Sequence, residues 1–352
     1  MLPFTESGSH VKLFGYTDTF PELNKLDTKV YTINPKLIKK FKESYVDLDK
    51  TDKIDAFIIA DRLRFGKLPL TVIMQEQYIA LQRLIRMRFR LVQNLTREKQ
   101  YFLQNLFFKC SAFKTEVETS ALGNAIMELL MEKYSLDEIS SMDIKVLADY
   151  LKEKGKNRFS DSEKVANCIQ KAARSSYRLS KCVENSIDVL LATSIESIRS
   201  IKSQIKQLDK SIAKLLDGIP NTIQTIPGIG PVYCSGILAE IGDIHRFKSQ
   251  ASIAKYAGLT WSKKHQSGKF KANEINMIRY GNRYLRYYLV KAAISVKNHE
   301  SGFNAYYHKK YHEVPKHQHK RALVLTARKL VRLVDALLRN DQIYSPKRKV
   351  NR

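Results

Sequence analysis

The chain has 352 residues, 61 Lys+Arg against 35 Asp+Glu, a formal net charge of +26 and 43% apolar residues. That length exceeds a single core and asks for two or three domains, and the apolar content excludes a disordered basic tail. No apolar run approaches the ~18 residues of a membrane span, and no basic-then-apolar leader follows Met1, which argues against membrane insertion and secretion.

In chain order, the first piece is Phe4-Thr5-Glu6-Ser7-Gly8, which puts Glu6 at the end of a strand before a Ser-Gly turn. Residues 1–50 read as the middle of an α/β unit: residues 30–33 are a short strand ended by Asn34-Pro35, and residues 36–43 a basic helix. Residues 51–65 form a second helix, with Thr51 as N-cap and Ile54, Ile58 and Leu63 apolar. After Pro69, residues 76–108 read as one long helix with Arg83, Arg86 and Arg90 about a turn apart. Residues 110–165 are mixed, with turn signals at Gly123 and Gly155. From Leu191 a heptad pattern sets in, with Leu191, Ile198, Ile205 and Ile212 on one position and Ser194, Ile201, Leu208 and Leu215 on the other. This argues for a coiled coil and hence an oligomer; the alternative is one long helix packed within its own domain. Gly218-Ile219-Pro220 ends it.

The charge is concentrated behind that point. Residues 245–352 hold 25 Lys/Arg against 5 Asp/Glu, whereas residues 1–244 hold 36 against 30. Such a field attracts a polyanion, because each neutralised phosphate releases counterions, and nucleic acid fits better than an anionic membrane, since no anchor accompanies the charge. The four cysteines, 110, 168, 182 and 234, have neither zinc-finger nor disulfide spacing and are expected as reduced thiols.

Four motifs could carry chemistry. In Lys50-Thr51-Asp52-Lys53-Ile54-Asp55-Ala56, Asp52 and Asp55 leave one helix face and can share a hard divalent cation such as Mg²⁺. Two acids at a helix start can equally serve the helix dipole. Glu6 is a third carboxylate, ordinary by itself. Thr225-Ile226-Pro227-Gly228-Ile229-Gly230-Pro231 and the apolar run after it form a helix-hairpin-helix pattern, in which Gly228 and Gly230 let backbone N–H groups approach a phosphate. Residues 258–269 hold Ser262, Ser267, His265, Lys263, Lys264 and Lys269, and read as a phosphate-binding loop. A serine there has the positive surroundings that attack on a phosphodiester needs. Arg279, Arg283 and Arg286 follow and suit phosphate contact, while Tyr284, Tyr287 and Tyr288 serve either core or stacking. His308, His312, His317 and His319 have no cysteine beside them and read as solvated or phosphate-contacting rather than zinc-binding.

The ordered set, most specific over 50–56, 225–241 and 258–286, resembles the insertion-sequence transposases that join an N-terminal RuvC-like DEDD domain to a C-terminal serine-bearing domain, recombinases guided by a bridge RNA. The resemblance covers essentially the whole chain. It implies an α/β plus mainly α fold: an incomplete RNase H-like (RuvC-like) α/β domain over 1–110, a helical and coiled-coil region over 111–217, a serine-bearing helical domain with the helix-hairpin-helix over 218–340, and a basic tail over 341–352. It implies Mg²⁺ held by Glu6, Asp52 and Asp55, with Ser267 as the nucleophile and Ser262 as runner-up. Phosphate contacts fall to Gly228, Gly230, Lys263, Lys264, Lys269, Arg279, Arg283 and Arg286. The implied partners are DNA, a structured guide RNA and further copies of the chain as dimer or tetramer, in a prokaryotic cytoplasm at the nucleoid.

The family's first Asp has no counterpart, which implies that roughly 40–60 residues of strand and loop stand outside this sequence. On that basis the chain is expected to bind structured nucleic acid and to cleave poorly. The competing readings are a metal-dependent junction nuclease in which water attacks, and a non-catalytic nucleic-acid-binding remnant.

Overall fold

The computed structural model describes residues 9–12, 29–33, 35–45, 49, 51–66, 74–261, 266–267, 270–271 and 280–346, and these are mostly helical. The chain divides into two compact units: Met1–Ala80 with Asn221–Ile226 and Ile237–Arg352, and Leu81–Pro220 with Pro227–Gly236. No helix among the described residues is long and apolar enough to cross a membrane.

The first unit opens with β1 (Ser9–Lys12) and β2 (Lys29–Thr32), paired in parallel with Ser9 opposite Lys29 and Lys12 opposite Thr32. Because the two strands are parallel, they are not the two arms of a tight hairpin. The expected strand is β2, which ends at Thr32, and α1 (Pro35–Lys42) begins one residue before the helix expected from residue 36, on a proline whose fixed φ suits a first helical residue. Helix α2 (Asp52–Phe65) starts where Thr51 Oγ1 accepts from Ile54 N at 3.3 Å, the expected N-cap. Ile33, Ile38 and Ile58 form a small core beneath Phe41, Tyr45, Ile54 and Ile59.

The second unit is built on two long helices, α3 (Glu76–Lys109) and, after five short ones, α9 (Lys181–Asp217). The short helices are α4 (Phe113–Glu116), α5 (Asn124–Met131), α6 (Leu136–Ser141), α7 (Ile144–Lys154) and α8 (Ser162–Ser175). Gly123 stands at the N-cap of α5 and Gly155 at the C-cap of α7, so both turn signals mark helix ends. Helices α3 and α9 run antiparallel: Arg88 Nε meets Asp209 Oδ1 at 2.5 Å near one end, and Lys109 Nζ meets Glu184 at 2.9 Å and Asp188 at 2.8 Å near the other. Phe102 and Leu106 of α3 share a core with Ile126, Met127, Leu147, Leu151, Ile169, Leu191, Ile195 and Ile198. Thus the heptad residues Leu191, Ser194 and Ile198 are buried inside the chain's own unit, whereas Ile201, Ile205 and Leu208 are only half-buried.

The rest of the first unit comprises Asn221–Ile226 and the chain from Ile237 onward. A 3-10 turn (Ile223–Thr225) precedes α10 (Pro231–Ile241), then come α11 (Gln250–Ala257), the two-residue strands β3 (Gln266–Ser267) and β4 (Phe270–Lys271), α12 (Arg283–His299), α13 (Ser301–His312) and α14 (Gln318–Asn340). Helix α14 packs against α11, α12 and α13. Leu285, Tyr288, Leu289, Ala292, Ala327, Leu330 and Val334 are all fully buried.

Candidate functional site

Glu6 lies outside the described residues. Asp52 and Asp55 stand in the first turn of α2, one helical turn apart and accessible, Asp55 with 46% of its side chain exposed. Lys42 from α1 reaches across and places Nζ 2.7 Å from Asp55 Oδ1, while also donating to the carbonyl of Asp49 at 3.2 Å. Two hard carboxylates in this geometry suit a divalent ion, and the helix start adds a positive end that offsets part of their charge. Among the described residues no third acid, cysteine or histidine joins them into a metal-binding cluster. A further carboxylate of α2, Asp61, serves the fold. It accepts from Tyr45 Oη and from Arg64 Nε at 2.8 Å, and these bonds, Tyr45's foremost, hold it below the usual carboxylate range.

Around the glycine pair the structure has the three-residue 3-10 turn Ile223–Thr225 on one side and α10 on the other, so a single short turn stands where the expected motif has its first helix. Thr225 Oγ1 donates to Thr222 O at 2.6 Å and accepts from Tyr344 N at 2.8 Å, which closes the 3-10 turn. Gly228 takes φ +90°, a value open to glycine, and α10 then starts on Pro231 with Tyr233 N and Cys234 N bonded to Gly230 O. A Cβ on Gly230 would meet nothing within 4 Å, so this backbone is open to a ligand.

Of the loop residues, Ser262, Lys263, Lys264, Lys269 and Arg279 lie outside the described residues, as do the side chains of β3 and β4. The backbone of Ser267 is the last residue of β3, paired antiparallel with Phe270. That register makes Ser267 the last paired residue before the chain reverses, at a hairpin tip. Past the loop, Arg283 is exposed, with its guanidinium 4.8 Å over the Tyr284 ring. Arg286 is half-buried; a Cβ on Gly258 would come within 2.6 Å of its Nη1. Tyr288 is core, whereas Tyr284 and Tyr287 are partly accessible, and Lys291 Nζ lies 5.9 Å from the Tyr287 ring. Arg283, Tyr284, Tyr287 and Lys291 thus give α12 a cationic, aromatic surface suited to backbone phosphate and stacked bases.

His308, His312, His317 and His319 are exposed; His319 Nδ1 lies 2.7 Å from Tyr307 Oη, and no metal cluster forms among the described residues. The four cysteines are free, and burial pushes the Cys110 thiol up. One residue that sequence reasoning passed over is Glu240, fully buried in α10 and bonded to Asn282 Nδ2 at 2.6 Å. Its signal was available: a lone acid in the otherwise apolar run of residues 231–241.

Known proteins match both ends of this arrangement. Residues 221–308 match the transposase family model described as IS116/IS110/IS902, and residues 20–111 match the DEDD transposase model of the IS110 type. The protein of insertion element IS116 from Streptomyces clavuligerus is 26% identical over 88% of this chain and 76% of its own length. That of IS900 from Mycobacterium paratuberculosis is 26% identical over 86% and 75%. The pilin gene-inverting protein of Moraxella bovis is 34% identical over 29% of this chain and 33% of its own length. A DEDD segment suggests use of a divalent metal ion.

Proposed function

Because the chain belongs to the IS116/IS110/IS902 transposase family, we propose that it cuts and rejoins DNA through Ser267, with Glu6, Asp52 and Asp55 as the acids that hold Mg²⁺. The observation that carries this reading is the register Ser267–Phe270, which puts the serine at a hairpin tip ahead of the cationic start of α12. A divalent ion bound by the carboxylates would supply positive charge to the phosphoryl oxygens. The chain's own residues do the rest. Ser267 Oγ gives up its proton and bonds to phosphorus, one sugar oxygen leaves and is protonated, and the protein holds the strand as a phosphoserine ester. Reversal by another strand's hydroxyl rejoins DNA without loss of the phosphodiester energy. Arg283, with Lys263, Lys264, Lys269, Arg279 and Arg286, neutralises backbone phosphate, and the Gly228–Gly230 backbone adds a non-specific contact.

The name of the Moraxella bovis relative supports rearrangement of defined segments over random cutting. Protein contacts of this backbone type carry little sequence information, which favours a structured RNA as the source of target choice. The half-buried Ile201, Ile205 and Leu208 of α9 support assembly of two or more copies.

The test is to trap the covalent adduct on an oligonucleotide and map its peptide by mass spectrometry. The adduct is expected on Ser267, retained in Ser262→Ala, and lost in Ser267→Ala and in Asp52→Asn. Cleavage that persists in Ser267→Ala without any adduct would replace this reading with a nuclease in which water attacks.

A further inference from the structure

The loop between residues 259 and 280 carries both candidate serines, and its two ends are fastened to each other. Gly258 (φ +70°) closes α11 and Gly281 (φ +130°) precedes α12. A Cβ on Gly281 would stand 2.6 Å from Gly258 N and 2.8 Å from Tyr256 O, and one on Gly258 would stand 2.4 Å from Tyr280 O. The two backbones therefore touch where only glycines fit. Asn282 N donates to Tyr256 O at 2.6 Å across the same junction. Arg328 of α14 donates to Leu259 O at 3.0 Å and ties down the first loop residue.

Under this junction lies a polar device in an apolar setting. Asn282 Oδ1 accepts from Tyr284 N at 2.9 Å and from Leu285 N at 3.0 Å, so it caps α12. Its Nδ2 donates to Glu240 Oε2 at 2.6 Å and to Tyr256 Oη at 3.0 Å. Glu240 is wholly buried, in a stretch of α10 whose residues 234–242 are all buried. Arg246 also reaches this turn and donates to the Glu240 carbonyl at 2.9 Å. A buried carboxylate is costly, and it is tolerated where it is hydrogen-bonded. As an acceptor it also removes the two-fold choice of the amide: nitrogen must face Glu240, which turns the oxygen to the helix N–H groups. One acid thus fixes the rotation of Asn282, the cap of α12 and the return end of the loop.

We propose that Glu240 and Asn282 are positioning residues that hold the base of the serine loop, so that the hairpin tip and the first turn of α12 keep one geometry relative to each other. The inference rests on the reading of Ser267 as the nucleophile.

The experiment compares the full chain with Asn282→Asp, Glu240→Gln and the double variant. Asn282→Asp keeps the cap oxygen but sets two carboxyls against each other; the double variant restores the bond with donor and acceptor exchanged and the original net charge. Adduct yield, affinity for the same oligonucleotide, thermal midpoint and the rate of trypsin cleavage at Lys263, Lys264 and Lys269 are read in parallel. We expect Asn282→Asp to lower adduct yield by about 10- to 100-fold, as a misplacement near 1 Å does, with affinity changed by less than about threefold. Loop cleavage accelerates, and the double variant recovers both. If Asn282→Asp does not fold, Asn282→Ser, which caps without reaching Glu240, takes its place. Wild-type adduct yield and loop cleavage in the single variants, or a double variant no better than Asn282→Asp, would overturn the proposal. Absence of any adduct in the wild-type chain overturns the serine reading instead, and the trypsin rates then still decide whether Glu240 and Asn282 hold the loop.

Discussion

Lys109 offers the sharpest test of how the second unit is held together. Its side chain is 3% exposed, and its ammonium lies 2.9 Å from Glu184 and 2.8 Å from Asp188, whose side chains are 23% and 9% exposed. Lys109→Met keeps the length and most of the packing of the stem but leaves two carboxylates with no counter-charge on α3. Removing one partner of a buried pair costs about 3–5 kcal/mol; since water still reaches Glu184, the lower end of about 3 kcal/mol is expected here. For a unit of this size that is a fall of roughly 10 °C in thermal midpoint, read by far-ultraviolet circular dichroism. The pH dependence has a fixed sign. Burial pushes the Asp188 carboxyl up, and the Lys109 hydrogen bond and charge pull it partly back. A carboxyl raised in the folded state binds its proton more tightly there, so its contribution to stability declines as pH rises from the unfolded toward the folded value. Without Lys109 the carboxyl rises further, and the penalty of the substitution is therefore largest near neutrality and shrinks as acid protonates the pair. Adding Asp188→Leu to Lys109→Met recovers most of the loss. A penalty under about 1 kcal/mol, or one that is flat in pH, would refute the assignment of a buried, charge-compensated centre.

Further outcomes follow from the same geometry. Gly230→Ala should leave the melting temperature unchanged, because a Cβ there meets nothing, while weakening binding to DNA or RNA; unchanged affinity in gel shifts removes the hairpin from the interface. Six basic residues at the proposed phosphate contacts predict a slope of log affinity against log salt near −5 on duplex DNA, reduced by about 1 in Arg283→Ala, and a flat dependence contradicts the phosphate reading. Lys42→Met frees an oxygen of Asp55 at a cost in stability under about 1 kcal/mol for so exposed a pair. It should lower the concentration of Mn²⁺ that half-saturates the chain in calorimetry, and weaker binding would mean that Asp55 is not a ligand.

Much of this was readable where local chemistry decides structure. Thr51 as N-cap and the glycines at 123, 155, 228 and 230 each act on their own turn, and the sequence shows them directly, whereas the helix read from residue 36 begins one residue earlier, on Pro35. The short helices α4–α8 were not readable as a set, because helices of four to fourteen residues are marginal alone and exist through their shared core. Even so, Ser135 and Glu138 form a capping box at the start of α6, a signal plain in Ser-x-x-Glu. The heptads of α9 were visible, but not that α3 of the same chain runs alongside them; Lys109 and Asp188 are 79 positions apart, and no local pattern links them.

The serine loop divides along the same line. Its residue types announce phosphate chemistry, since serines, lysines and arginines are legible one at a time. Its two ends are held from elsewhere: by a carboxylate on α10 that holds Asn282 from 42 positions upstream, by the touching pair Gly258 and Gly281, and by an arginine on α14. A flexible loop bearing a nucleophile spends entropy on every productive encounter, whereas one whose ends are pinned has already done so on folding. The sequence therefore shows which residue types this segment offers, and the fold fastens the two glycines that flank it to each other.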